Sequence, residues 1–203
     1  MSITIGGRSG AGKTSVARAL ARRLGYKFYS MGDLRGRMAM ERGMTIDELN
    51  EIGKRESWTD KEVDEFQKKL GKKEDQFIIE GWLSFCFIPH SFKVFLDVNS
   101  EAAAKRIFKN QRPDEEPQES VREVLEMVKK RMAESQKRYK KYYGVDCFCE
   151  ECYDLVINTT NLTISQVVSK IITELKIWKS KKLRPRRMSL RLKNRRQTRQ
   201  KKK

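Results

Sequence analysis

Gly7-Arg8-Ser9-Gly10-Ala11-Gly12-Lys13-Thr14 lies between the apolar run Ile3-Thr4-Ile5 and a segment with Val16, Leu20 and Leu24 at helical spacing. The octapeptide matches G-x-x-x-x-G-K-[ST] in full, and a strand before it with a helix after it is the setting in which that pattern has a mechanism. Glycines let successive backbone N–H groups point into one concavity, and the positive end of the following helix adds to the field that holds phosphate oxygens there. Lys13 can reach β- and γ-phosphates, and the Thr14 hydroxyl can coordinate Mg2+. Gly7, Arg8, Ser9, Gly10, Ala11, Gly12, Lys13 and Thr14 are thus the expected ATP-binding residues. A Gly-rich turn with an accidental lysine is the alternative, and it leaves both flanks unexplained.

Outward from this loop, short apolar runs alternate with longer amphipathic segments, the pattern of an α/β fold with a parallel sheet. A first helix is expected over 14–24, stopped by Gly25, and a second strand over 26–30. Between 31 and 70 the pattern is helical and charged, broken by Gly32, Gly36, Gly43 and Gly53 into two or three short helices. Phe77-Ile78-Ile79 and Val94-Phe95-Leu96 read as strands buried on both faces, and 154–158 supplies a fifth strand. Helices over 101–110 and 119–143 flank the loop Pro113-Asp114-Glu115-Glu116-Pro117, and a last helix covers 163–176.

The chain has 203 residues with 45 Lys or Arg against 27 Asp or Glu, a net charge of +18. Residues 179–203 hold 14 of the basic residues and no acid, which leaves 31 basic against 27 acidic in the first 178. The expectation is one domain over 1–178 and a disordered basic tail over 179–203. The default partner of such a tail is a polyanion, RNA above all, bound through counterion release; a solubilising extension is the alternative. A body of this size buries roughly 70% of its unfolded surface without disulfides. The start, Met1-Ser2-Ile3-Thr4-Ile5-Gly6, lacks a charged region followed by an apolar stretch. No window approaches the roughly 18 apolar residues of a membrane span, so the reading is cytoplasmic, with no membrane contact. Cys86, Cys147, Cys149 and Cys152 are accordingly expected as free thiols. Cys147, Cys149 and Cys152 offer three thiols toward Zn2+, but without two C-x-x-C knuckles. His90, after Pro89, reads as a turn or packing residue.

Phe77-Ile78-Ile79 ends in Glu80-Gly81, which puts Glu80 where an acid facing Mg2+ through water belongs; an exposed strand-end glutamate is the alternative. Arginines around the proline loop fit a lid that brings guanidinium forks to the charge on a transferred phosphoryl group. Arg106, Arg112 and Arg131 are the candidates, with Lys13, for the catalytic charges, while the neighbouring lysines read as solvated helix faces.

Together with the phosphate loop, five further stretches resemble the cytidylate kinases, in the short form typical of archaea and some bacteria. They are Tyr29-Ser30-Met31-Gly32-Asp33, Ile79-Glu80-Gly81, the Arg106-Ile107 helix, and Arg138-Tyr139-Lys140-Lys141-Tyr142-Tyr143-Gly144-Val145-Asp146 with Tyr153-Asp154-Leu155-Val156-Ile157-Asn158-Thr159-Thr160 behind it. The resemblance covers about residues 1–176 and implies a P-loop NTPase fold. That fold has three α/β/α layers, a five-stranded parallel sheet, a helical monophosphate-binding insertion and a short lid. It also implies Mg2+-dependent phosphorylation of CMP and dCMP by ATP; a monomer is expected.

For the acceptor it points to Ser30, Arg35, Arg37, Asp64 and Gly81, with an acid accepting from the cytosine amino group. Asp60 and Asp64 share one helix face at i, i+4, and Asp60 is expected as an exposed helical charge. Trp82 and Gly36 stand where the family commonly has arginines on the acceptor phosphate; Arg35 or Arg37 is the expected substitute for one and Arg8 for the other. Trp82 reads either as a base-stacking surface or as core. The rival readings are a kinase for another small acceptor such as AMP, and a nucleotide-dependent RNA-binding or assembly protein.

Overall fold

Ile3-Thr4-Ile5, Phe77-Ile78-Ile79 and Val94-Phe95-Leu96 carry branched or aromatic side chains toward both faces, which suits them to the interior of a covered parallel sheet. The computed structural model describes residues 1–111 and 115–181. In it β1 (Ile3–Gly7), β2 (Lys27–Ser30), β3 (Phe77–Glu80), β4 (Phe92–Asp97) and β5 (Leu155–Asn158) form one parallel sheet in the order β2-β3-β1-β4-β5. Ile3, Ile5, Phe77, Ile78, Ile79, Phe95 and Leu96 are completely buried, each contributing roughly 1.5–3 kcal/mol of transfer free energy. The expected α/β fold and the five strands are what the chain adopts.

Because β1 lies between β3 and β4, the chain leaves it toward one edge and returns past it toward the other, which opens a crevice at the carboxyl ends of the central strands. Register fixes what meets there. Ile5 pairs with Glu80, Ser30 with Glu80, Gly7 with Leu96 and Asp97 with Asn158.

The helices begin and end where their caps dictate. α1 (Lys13–Leu24) follows Gly12 and stops at Gly25, both left-handed. Three helices fill the segment between β2 and β3. α2 (Met31–Met40) is capped by the Ser30 hydroxyl, which accepts from the Asp33 N–H; α3 (Ile46–Gly53) starts in a Thr45/Glu48 capping box; α4 is Trp58–Lys73. A single turn not expected from the sequence, α5 (Ser84–Phe87), follows the Gly81 bend. α6 (Ser100–Lys109) is capped by Asn99, and α7 (Val121–Tyr143) by Ser120, with left-handed Gly144 ending it.

Two compact units divide the chain, Met1–Val168 and Ser169–Lys203. The first holds the sheet, α1 to α7 and the start of α8 (164–181); of the second, the described part is the remainder of α8. Among the described residues no helix is long and apolar enough to cross a membrane.

The expectation of four free thiols is corrected at two positions. Cys149 and Cys152 are disulfide-bonded, because the single 3-10 turn Glu150–Cys152 brings their Cα atoms to 5.5 Å, within bonding reach. Cys86 and Cys147 are free, and burial first of all raises the Cys147 thiol to about 12. Among the described residues no group of three or more His, Cys, Asp or Glu could hold a metal ion, so the C-x-C-x-x-C run does not gather one.

Candidate active site

The loop between β1 and α1 is bent against its neighbours, and two of its glycines have no substitute. A Cβ on Gly7, at φ +127°, would lie 2.1 Å from the Leu96 carbonyl oxygen; one on Gly10, at φ +75°, would lie 2.7 Å from Ala103 Cα. The loop is braced by donors as well. Arg8 N–H donates to Leu96 O at 3.0 Å, Thr159 Oγ1 to Ala11 O at 3.1 Å, and Arg106 to Gly10 O at 3.3 Å. Lys13 arches over the loop, its Nζ donating to Arg8 O at 2.9 Å.

At the end of β3, Glu80 is buried, and its Oε1 accepts from Thr14 Oγ1 at 3.0 Å and from Ser30 Oγ at 2.5 Å. It is therefore not the exposed strand-end acid of the alternative reading. Two hydroxyls from two strand–helix junctions converge on one carboxylate beside the phosphate loop.

From Ser9 onward the loop opens into a cavity of about 730 Å³ lined also by α2, α3, α4, α7 and the segment after β5. Its far wall is charged. Arg35 donates from Nη1 to Asp60 Oδ1 and to Thr59 O, both at 2.7 Å, and from Nε to Asn50 at 3.2 Å. Arg138 approaches the other side of the same carboxylate, its Nε 3.1 Å from Asp60 Oδ2. All three side chains are nine-tenths or more buried. Arg35 Nη2, Arg138 Nε and Asp60 Oδ2 nevertheless make no hydrogen bond of good geometry. Two guanidiniums share this one carboxylate, and the wall keeps donors to spare.

Asp60 thereby corrects the expectation of an exposed helical charge. The Thr59-Asp60 side of the first turn of α4 is buried, and the two arginines hold the acid there. One turn on, Asp64 is also buried and accepts a short hydrogen bond from the Tyr143 hydroxyl. Burial above all raises its carboxyl to about 6, with Tyr143 pulling it down and Asp60 pushing it up. Gln67 completes this face of α4, its Oε1 accepting from Ser84 Oγ at 2.7 Å.

The other expected residues divide. Gly81 lines the cavity at a bend too tight for a side chain, since an added Cβ would meet Ser84 Oγ at 2.7 Å and Met31 at 2.9 Å. Ser30 reaches Glu80 but lines a second, smaller groove, and Arg37 lies exposed in that groove, away from the cavity. Arg106 lines the cavity with its guanidinium pinned to Gly10, Thr159 and Thr160 carbonyls. Arg131 also lines it, gripped by Glu115 at 2.7 Å and Asp47 at 2.9 Å. Arg112 lies outside the described residues.

Arg8 does not turn toward the acceptor side: its Nε bonds Asp97 at 2.7 Å. Gly36 is buried within α2, one position from Arg35, which faces the cavity. Trp82 is both lining and core. Its Nε1 donates to Gly7 O at 3.0 Å, and its ring packs edge-on against Tyr139 and Phe148. Arg138, Gln67 and Asn50 were not singled out from the sequence. The Arg138-to-Asp146 run carried the signal for the first; a lone glutamine and asparagine on charged helices carry none.

A sequence model of the cytidylate kinase-like family matches residues 2–161. The cytidylate kinase of Methanobrevibacter smithii is 33% identical over 177 residues, which are 87% of this chain and 99% of that one. That of Archaeoglobus fulgidus is 31% identical over 182 residues, 89% of this chain and 98% of its own. Among solved structures, shikimate kinase from Bacteroides thetaiotaomicron aligns with a TM-score of 0.60 at 17% identity, over 87% of this chain and 98% of that one; this likeness concerns the fold alone.

Proposed function

The chain belongs to the cytidylate kinase-like family, and from that premise we propose that it transfers the γ-phosphoryl group of ATP to CMP or dCMP. The observation that carries this reading is a single cavity with a phosphate loop at one end and, at the other, two buried guanidiniums around one carboxylate with unpaired N–H donors. A buried guanidinium donor without an acceptor is costly unless an anion completes it. The phosphate of a nucleoside monophosphate is such an anion, and Arg35 and Arg138 offer it the forked donors that planar oxygen pairs accept.

The attacking group is an oxygen of that phosphate. Its second pKa is about 6, so near neutrality it is largely ionised and needs no strong base. A new P–O bond forms to the γ-phosphorus as the bond to the β,γ-bridging oxygen breaks, and ADP leaves. What the protein contributes is alignment and charge. Lys13 and the loop N–H groups hold the donor phosphates. Arg131 supplies charge toward the transferred group once Glu115 and Asp47 release it, while Arg106 keeps the loop in shape. Thr14 Oγ1 and the Glu80 carboxylate, 3.0 Å apart, are hard oxygen donors that fit Mg2+. Thr14 would bind the ion directly and Glu80 through water, and the ion would neutralise charge on the donor phosphates.

The body over 1–178 is the kinase on this reading, and it works in the cytoplasm as a monomer. The 14 basic residues of 179–203 support a separate contact with RNA.

The test is ADP release from ATP and Mg2+ against CMP, dCMP, UMP, AMP and GMP, with Lys13→Ala as control. Turnover on CMP or dCMP that the control loses is expected. ATP binding without turnover on any monophosphate would overturn the assignment.

A further inference from the structure

The connection between α7 and β5 holds two anchors. Cys147 is buried in one cluster with Leu83 and Tyr139, and Tyr153, also buried, packs against Phe85 and Phe95. Between them runs the 3-10 turn, in which Cys152 N–H donates to Cys149 O at 3.1 Å and the Cys149–Cys152 disulfide closes the turn. Phe148 is thereby fixed from both sides, by a buried neighbour before it and a cross-linked one after it.

The Phe148 ring reaches the first two residues of the phosphate loop. It packs edge-on against Trp82 at 5.7 Å, and Trp82 Nε1 donates to Gly7 O at 3.0 Å. The guanidinium carbon of Arg8 lies over the same ring, 6.0 Å from its centroid. One aromatic side chain thus joins the disulfide turn to the start of the loop.

Resting on the reading that this loop holds the donor nucleotide, we propose that Cys149 and Cys152 form a dithiol–disulfide modification site whose state sets the affinity for ATP through Phe148. The bond joins residues three apart. So short a link constrains the unfolded chain less than one that closes a long loop, and stapling is a small part of what it does. Where thiols are kept reduced, the disulfides that do form are usually catalytic or redox-sensing.

Cys152 is exposed and Cys149 half-buried, so the thiolate of a reducing dithiol attacks Cys152 Sγ. The S–S bond breaks, Cys149 leaves as a thiolate and takes a proton, and the reductant is joined to Cys152. The second thiolate of the reductant then displaces Cys152, which takes a proton in turn. Two electrons and two protons have passed to the protein, and the dithiol has become a disulfide. An oxidised dithiol runs the same steps backwards. Cys147 does not compete, because burial above all raises its thiol to about 12 and leaves little thiolate to attack.

With the bond open, only backbone hydrogen bonds hold the turn, and Gly7 and Arg8 lose a neighbour of fixed position. The reduced chain should bind ATP about 5-fold more weakly. Coupling is reciprocal, so ATP should favour the disulfide by the same factor.

The experiment equilibrates the full chain in buffers of reduced and oxidised dithiothreitol. Alkylation and peptide mass assign the bond, and calorimetry gives the Kd for ATP. The Cys149–Cys152 peptide should appear in the oxidised buffer, with Kd rising about 5-fold on reduction. Saturating ATP should move the midpoint of the redox titration by that factor. Cys149→Ser with Cys152→Ser should keep the weaker Kd in both buffers. Phe148→Leu should form the bond while its Kd no longer follows it.

Four free thiols in every buffer overturn the proposal. So does a bond that forms with Kd and midpoint unmoved, and so does a Phe148→Leu chain whose Kd still follows the bond. Should the double serine variant fail to fold, the midpoint shift of the native chain decides. No ATP binding by either form overturns the donor-site reading itself, and the proposal with it.

Discussion

Asp60→Ala leaves two guanidiniums facing each other with no carboxylate between them. The side chains of Arg35 and Arg138 are 10% and 5% exposed, so water does little to screen them. Breaking a buried pair by removing one partner costs about 3–5 kcal/mol, and one acid serving two bases puts this case toward the upper end. Against a native stability of about 5–15 kcal/mol that is a third of the total or more. For a chain of this length about 2–4 °C of melting temperature accompanies each kcal/mol, so the transition should fall by about 10–20 °C. Circular dichroism melts in a phosphate-free buffer measure it. Inorganic phosphate should then raise the variant's Tm more than the native protein's, because it binds where the carboxylate was. Adding Arg138→Met to Asp60→Ala should restore part of the loss, since the two side chains act as one unit. A variant melting within about 2 °C of the native protein would refute the reasoning from a shared, buried anion.

Other outcomes follow from the loop and the tail. Lys13→Ala should lower kcat by about 10²- to 10³-fold while the melting temperature holds, as read by coupled ADP release and thermal unfolding. Gly10→Ala forces a methyl group to within 2.7 Å of Ala103 at φ +75°. About 1–3 kcal/mol of strain should appear in its melt, and stabilisation by ATP should vanish. A chain ending at Lys181 should keep full turnover and lose RNA binding of steep salt dependence, a comparison made by filter binding at rising ionic strength.

What could be read ahead of the structure depended on how local its cause is. The phosphate loop and the strand runs carry their reasons within a few residues: glycines for a tight bend, branched side chains for a covered sheet. Two or three helices over 31–70 were legible from the glycines that interrupt the pattern, and the structure has three. Asp60 was not, because its burial depends on Arg138 arriving from a helix 78 residues further on. Arg35 and Arg37 look alike in sequence, yet helical geometry turns one to the cavity and the other to solvent. The Cys149–Cys152 pairing was hidden by an argument from compartment, whereas a one-turn 3-10 segment decides the distance.

The phosphate loop takes its curve from residues on other elements: Leu96 in β4, Ala103 in α6 and Thr159 after β5. Its shape thus belongs to the sheet, and exists before any nucleotide arrives. A ligand docking there loses little protein entropy, so its arrival is governed by diffusion and by the mouth of the cavity.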